Sequence, residues 1–343
     1  MALILALESS CDDSAAAIVS SDRQILAQTV VGQAERHRPF GGVVPEIAAR
    51  AHVEVLPGLV RQVLQEAAIT VADVDAVAAT AGPGLVGGVM VGLLAGKGLA
   101  LSAGKPFVAV NHLEGHALSP RLTDPDLAFP YLLLLTSGGH CQLLEVRGVD
   151  DYRRLATTID DAAGEAFDKS AKLLGLGYPG GPAIEMLAKE GDPQAIRFPR
   201  PLVGSGEPHF SFAGLKSAVQ RAVEAGDHRP ADIAAGFQAA VVDCLVDRTR
   251  IALEDSDAPS LVVAGGVAAN QSVRSALQTL ADEQGRRFSV PPGWLCTDNA
   301  AMIGWAGAER FAAGRVDPLD TPARARWPLD TAAEKVRGAG VKA

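Results

Sequence analysis

Two stretches of the chain repeat one order of apolar and polar positions. Leu3 to Leu7 is apolar and ends in Glu8-Ser9-Ser10-Cys11-Asp12-Asp13-Ser14. Ala15 to Val19 is apolar again, and the turn Ser20-Ser21-Asp22-Arg23 leads into Gln24 to Val31. Short apolar runs bounded by turn residues read as strands, so this is a strand, a polar loop and a hairpin. The same order returns from Tyr131 to Leu135, which ends in Thr136-Ser137-Gly138-Gly139-His140. Cys141 to Val146 follows, then a turn near Gly148-Val149-Asp150-Asp151, and Tyr152 to Thr158 closes the set. Residue identity between the two stretches is slight. The correspondence is one of pattern, and it predicts an internal duplication.

Each stretch then alternates strands with helices. Ala76 to Thr80 reads as a strand, and Gly82-Pro83-Gly84-Leu85-Val86-Gly87-Gly88 turns into an Ala-, Leu- and Gly-rich helix over Val89 to Ser102. Leu261 to Ala264 is a strand ending in Gly265-Gly266-Val267-Ala268-Ala269-Asn270, and Gln271 to Gln284 a helix. This alternation predicts an α/β architecture, mostly parallel after the hairpins. The expected domains are residues 1–130, joined by a C-terminal helix at about 300–330, and residues 131–299. The Pro- and Gly-rich stretch at 190–209 reads as an irregular excursion, and 331–343 as a flexible tail.

Composition narrows the class. Hydrophobic residues make up 48% of 343, ample for two cores. The uninterrupted apolar runs, such as Leu132 to Leu135, fall short of a bilayer span, and no secretory pattern follows Met1; a cytoplasmic protein without a membrane role is expected. The four cysteines (Cys11, Cys141, Cys244, Cys296) are scattered, so a disulfide framework or a cysteine zinc site is not expected. Any metal must then be held by His and carboxylate. A net charge of −9 argues against a broad nucleic-acid surface, though Arg36-His37-Arg38, Lys169 with Lys172, Arg197 with Arg200, and Lys216 with Arg221 are local basic clusters.

The strand-like run Lys105 to Asn111 delivers His112 and His116, four residues apart. That spacing stacks both imidazoles on one helix face, where they are either two wet polar side chains or two ligands of a metal with open positions. Thr297-Asp298-Asn299-Ala300-Ala301-Met302 is a capped helix start whose carboxylate can complete a His, His, Asp set. The spacing is not that of a zincin peptidase, because Leu113 follows the first His and Glu114 lies one further on.

Ser and Gly loops closing a strand turn backbone N–H groups outward and can cradle an anion. Glu8 to Ser14, Gly82 to Gly88, Ser137 to Gly139 and Gly265 to Asn270 are the candidates. Asp168, in Gly164-Glu165-Ala166-Phe167-Asp168-Lys169, is either a surface partner of a lysine or a binding carboxylate. Gly181 and Glu185 follow a turn whose glycines can admit a flat base or ribose. The helix over Val89 to Ser102 offers a small-residue face, suited to close packing on a partner's helix or inside its own domain.

Thr136 to Gly139 and Gly265-Gly266 resemble the second phosphate loop and the adenosine loop of the actin-like ATPase and sugar-kinase superfamily. The first loop lacks the usual Asp, Gly and Thr, which speaks against ordinary ATP phosphoryl transfer. In full, the first 330 or so residues resemble the bacterial TsaD-type family of tRNA N6-adenosine threonylcarbamoyltransferases, once described as glycoprotein endopeptidases. The resemblance rests on Glu8 to Asp13, Gly41-Gly42-Val43-Val44-Pro45-Glu46, Ala81 to Leu85, Asn111 to His116, Thr136 to His140, Phe210-Ser211-Phe212-Ala213-Gly214-Leu215-Lys216, Gly265 to Asn270 and Thr297 to Asn299. Ser9, Asp13 and Ala213 depart from it mildly, where Thr, Glu and Ser are usual.

The resemblance implies two actin-like (ribonuclease H-like) domains with a cleft between them. It also implies transfer of a threonylcarbamoyl group from threonylcarbamoyl-AMP to N6 of the adenosine 3′ of certain tRNA anticodons, releasing AMP. His112, His116 and Asp298 would hold iron(II), although such donors also take zinc. Leu135, Thr136, Ser137, Gly138, Gly139, Asp168, Gly181, Glu185 and Asn270 would bind the adenylate, and Asp12 would position or deprotonate the amine. A paralogous partner of the same fold and a small ATPase are expected alongside tRNA. The rival readings are a metal-dependent glycoprotein endopeptidase and a sugar- or acetate-type kinase of the same fold, with a nucleotide-sensing, chaperone-like protein as a third.

Overall fold

The computed structural model describes residues 1–40, 42–334 and 336, which form two compact units. The first holds residues 1–126 and 297–329, and the second residues 127–296 with Asp330 and the described residues after it. Gly41 of the glycine motif and residues 335 and 337–343 of the expected tail lie outside the described residues. Before them, the Arg154 N–H donates to Asp330 Oδ2 at 2.8 Å and its guanidinium bonds the Glu334 carbonyl, so that part of the tail is tied down.

The first unit opens with β1 (Leu3–Glu8), β2 (Asp13–Ser20) and β3 (Ile25–Gly32), then α1 (Ala34–His37) and α2 (Pro45–Glu66). β4 (Ala76–Gly82), α3 (Val86–Ala103), β5 (Phe107–Asn111) and α4 (His112–Thr123) follow. Its sheet runs β3-β2-β1-β4-β5, antiparallel through the hairpins and parallel from β1 to β5.

The second unit has β6 (Tyr131–Thr136), β7 (Cys141–Gly148), β8 (Asp151–Thr157), α5 (Ala163–Leu173), α6 (Gly180–Ala188), α7 (Ala213–Ala225) and α8 (Pro230–Glu254). β9 (Ser260–Ala264), α9 (Gln271–Glu283), β10 (Arg287–Ser289) and the short α10 (Gly293–Cys296) complete it. Read from the hairpin edge, its sheet is β8-β7-β6-β9-β10, the same order and directions. Residues 190–209 carry no helix or strand.

The central strands β1, β4, β6 and β9 are buried almost throughout, as strands covered on both faces must be. α11 (Ala300–Ala312) returns to the first unit and packs on β1, β2 and α4. Its Asn299 N-cap accepts from the Met302 N–H at 2.9 Å, which fixes where the helix begins and so where Asp298 lies.

α3 sorts its residues differently from the partner-facing option. The small residues Gly88, Gly92, Gly96 and Ala100 point inward with Val89 and Leu93. At Gly88 a Cβ would stand 2.6 Å from the Ser9 carbonyl oxygen, so the closeness of α3 to the first loop requires glycine there. Val86, Met90, Leu94 and Leu101 face outward, between 46% and 69% exposed. With 18 residues at a mean hydropathy of 1.6, α3 is also long and apolar enough to cross a membrane, beyond what the short uninterrupted runs suggest. A third of it is buried, on the inner face that packs against β4 and α2, as in a layered α/β unit.

Candidate functional site

β5 ends at Asn111, whose side chain accepts from the Leu113 N–H at 2.9 Å and starts α4 at once. His112 and His116 therefore leave the strand end on one helix face, one turn apart, with ring centroids 4.8 Å apart. Asp298 approaches from the start of α11. Its Oδ1 is 3.4 Å from His112 Nε2 and 3.2 Å from His116 Nε2, and the three donor atoms lie within 4.8 Å of one another. Bonds from a metal to such donors measure about 2.0–2.2 Å, so donors sharing one ion stand roughly 3–3.5 Å apart. The two separations from Asp298 Oδ1 match that spacing, and the His, His, carboxylate donor set suits a small divalent ion.

The groups around this cluster are acidic. Glu8, at the buried end of β1, accepts from Thr80 Oγ1 at 2.6 Å and from the Ser10 N–H at 2.5 Å, and its Oε2 lies 3.1 Å from His112 Nδ1. Burial would lower the His112 imidazole, but the Asp298 and Glu8 carboxylates outweigh it and hold it well above its ordinary value. Burial would likewise raise Glu8 and Asp298, yet His112 facing them keeps both below the usual carboxylate range. Asp13 is pushed up to about 7, first by burial and then by Asp298, Asp12 and Glu8. Burial, then Asp12, Asp298 and Asp13, push the Cys11 thiol up, so it is an inert thiol here. Asp12 is half-buried in this loop, and its carbonyl accepts from the Gln33 N–H at 3.1 Å.

Glu8 is the residue that spacing does not reveal. The one signal for it is a charge closing a strand that is otherwise apolar, which needs a buried partner. Glu114 has a different place from the one a hydrolase would need. Its buried carboxylate is engaged by Arg310 of α11 at 2.9 Å.

In the second unit the candidate residues form a chain of contacts. Leu135 and Thr136 are buried at the end of β6, and the loop closes on itself through Ser137 N–H to the His140 carbonyl at 2.8 Å. Gly138 and Gly139 are exposed, with open space where a side chain would stand. α5 packs its first turn on this loop: a Cβ on Gly164 would be 2.6 Å from the Ser137 carbonyl oxygen. Gly265 leaves β9 at φ 90°, and a Cβ there would be 2.4 Å from the Thr136 carbonyl oxygen.

Asp168 does not pair with Lys169, which bonds Asp161 and Glu165 instead. It accepts from the Gly180 N–H at 2.8 Å and so receives the start of α6. Gly181, next along, has open space beside it. Glu185 accepts from the Gln271 N–H at 2.8 Å, and Asn270 caps α9 while donating to Gln238 Oε1 at 2.9 Å. The loop, Asp168, Gly181, Glu185 and Asn270 thus surround the carboxyl ends of β6 and β9, where ligands of parallel α/β sheets bind.

Solved structures share this architecture. The chain superposes with TM-score 0.61 on 48% of the HypF protein of T. kodakarensis, at 15% identity, with 91% of this chain covered. With TM-score 0.56 and 17% identity it covers all of component A of the Acidaminococcus fermentans (R)-2-hydroxyglutaryl-CoA dehydratase, again over 91% of this chain. The class is therefore a two-unit α/β protein of the actin-like ATPase fold. Within it, residues 24–305 match the family model for TsaD, tRNA N6-adenosine threonylcarbamoyltransferase. Proteins of that name from Sphingopyxis alaskensis and Novosphingobium aromaticivorans are 72% and 67% identical, with both chains covered in full. The chain belongs to the TsaD family and is a transferase of tRNA modification.

Proposed function

We propose that the first unit of this chain carries the metal and the transfer chemistry and the second binds the nucleotide of threonylcarbamoyl-AMP. The observation that carries the reading is the His112, His116 and Asp298 cluster, with donor separations suited to one ion, under the acid-rich first loop. Iron(II) is the metal expected, and zinc suits the same donors. When bound, the ion would act as a Lewis acid and template for the carbamoyl or carboxylate oxygens.

The adenosine N6 attacks the carbamoyl carbon and forms a C–N bond. The bond from that carbon to the phosphate oxygen breaks, AMP leaves with the electron pair, and one proton leaves N6. Asp12 positions that amine or takes its proton. Gly138 and Gly139 offer backbone N–H groups to the adenylate phosphate, while Asp168, Gly181, Glu185 and Asn270 frame the nucleoside. The commitment of Glu114 to Arg310 weighs against a peptidase, which would need a free base beside the metal.

The outward stripe of α3 supports a partner of related fold. Val86, Met90 and Leu94 recur every fourth residue on one exposed face, with Val53 of the neighbouring α2 60% exposed. Such work on tRNA belongs to the cytoplasm, with a small ATPase as a further partner. The test is nucleoside mass spectrometry of tRNA incubated with pure chain, synthetic adenylate and tRNA, with and without candidate partners. Threonylcarbamoyl-adenosine that depends on the adenylate supports the reading; cleaved peptide or a phosphorylated small molecule replaces it.

A further inference from the structure

His112 and His116 differ in what stands behind their rings. His116 Nδ1 is buried and has no hydrogen-bond partner. His112 Nδ1 faces Glu8 Oε2 at 3.1 Å, with Ser10 Oγ also at 3.1 Å. Glu8 is fully buried, and two further donors hold it: Thr80 Oγ1 from β4 and the Ser10 N–H from the first loop. A carboxylate so placed is held in one rotamer by three separate segments of chain.

A buried carboxylate carries a large desolvation cost unless it is paired, and an apolar residue would close β1 with less penalty. What the acid does that an apolar residue cannot is accept a proton-bearing ring nitrogen. An ionised carboxylate only accepts, so the Nδ1 it faces carries hydrogen, and the Nε2 lone pair is left for an ion. We propose that Glu8 is a positioning residue for the metal centre: buttressed by Thr80 and Ser10, it fixes the Nδ1–H form and the orientation of His112, leaving His116 unsupported from behind. The inference rests on the reading of His112 as a ligand. It adds a carboxylate–histidine–metal relay to only one of the two histidines. Such outer partners change metal affinity by about 10- to 100-fold when altered.

The experiment uses the full-length chain, stripped of metal and titrated with zinc or cobalt(II) against a chromophoric chelator. Glu8→Gln should weaken binding by about 10- to 100-fold. Thr80→Val, which leaves Glu8 in place but removes one of its holders, should weaken it less. His112→Ala is run beside them. If it leaves affinity unchanged, the ligand reading itself falls. If His112→Ala loses the ion while Glu8→Gln binds as the parent does, only the role of Glu8 falls. Should Glu8→Gln fail to fold, ¹⁵N-detected imidazole spectra of the zinc-loaded parent decide the matter. Hydrogen on His112 Nδ1 supports the proposal, and metal on Nδ1 overturns it.

Discussion

After β1 the chain turns a carboxylate and two serines into the interior, while after β6, at the same place in the same strand order, it leaves two glycines in the open. The first loop is closed by side chains from elsewhere. His52 Nε2–H donates to the Cys11 carbonyl at 3.1 Å, the Ser14 hydroxyl donates to His52 Nδ1 at 2.7 Å, and Ser9 Oγ meets α3. The second loop is closed by its own backbone and the Ser137 hydroxyl. One strand plan thus carries an acid-rich, internally bonded loop beside a candidate metal cluster in one unit and an open, glycine-bearing loop in the other. The difference teaches that topology supplies the position and the loop residues choose the chemistry.

The sharpest way to break the comparison is to remove a first-unit donor. Asp298→Ala should lose bound metal and transfer together, by more than the roughly 100-fold that altering an outer partner costs, while adenylate binding to the second unit persists. Metal analysis and calorimetry on one sample check this. Full metal occupancy would take Asp298 out of the ligand set. Next, Asp12→Asn should keep metal and adenylate affinity and slow single-turnover transfer by about 10²- to 10⁴-fold. Lost stability with normal transfer by the folded fraction would return Asp12 to scaffolding.

The converse change belongs to the second unit. Gly164→Ala puts a methyl 2.6 Å from the Ser137 carbonyl oxygen and must push the loop or α5 aside. Overpacking of this kind costs about 1–3 kcal/mol of stability. Adenylate affinity should fall by roughly tenfold, about 1.4 kcal/mol, with metal content untouched. A loss of metal in this variant would mean that the two loops are not separate in function.

How far the sequence carries differs between the loops for the same reason. Strand ends, hairpins and the irregular 190–209 stretch are legible, because alternation and turn residues are local signals. His112 and His116 are legible as a pair, since four residues is one helical turn, and Asn299 announces the cap that places Asp298. The meeting of β1, β4 and α4 at Glu8 is not legible, because parallel strands are joined by long crossovers and spacing says nothing about what they bring together. Nor is the sorting of α3, where glycines suit a partner's helix and the chain's own first loop equally well. Asp168 misleads for a local reason: an adjacent lysine suggests an ion pair, while the fold supplies the α6 amide.

The smallest expected effect tests how the first loop is held. His52 is fully buried and spans both ends of the segment that carries Asp12 and Asp13. Burial lowers its basicity; the Cys11 carbonyl, Glu8 and Asp12 act the other way, and His37 adds to the lowering. The net direction is down from 6.5, so the fold holds His52 neutral while the unfolded chain takes up a proton more readily. Stability from this residue is therefore fully present above about pH 6.5 and is lost as pH falls from there toward the depressed folded value. Urea midpoints of the metal-free chain at stepped pH from about 7.5 to about 5, the range in which His titrates, measure the slope. In His52→Gln, whose amide does not titrate, that part of the slope should vanish while the second unit's adenylate affinity stays as it was. An identical pH slope in the two proteins would show that the first loop is not clamped by a neutral His52, and that its closure depends, like that of the second loop, on its own backbone.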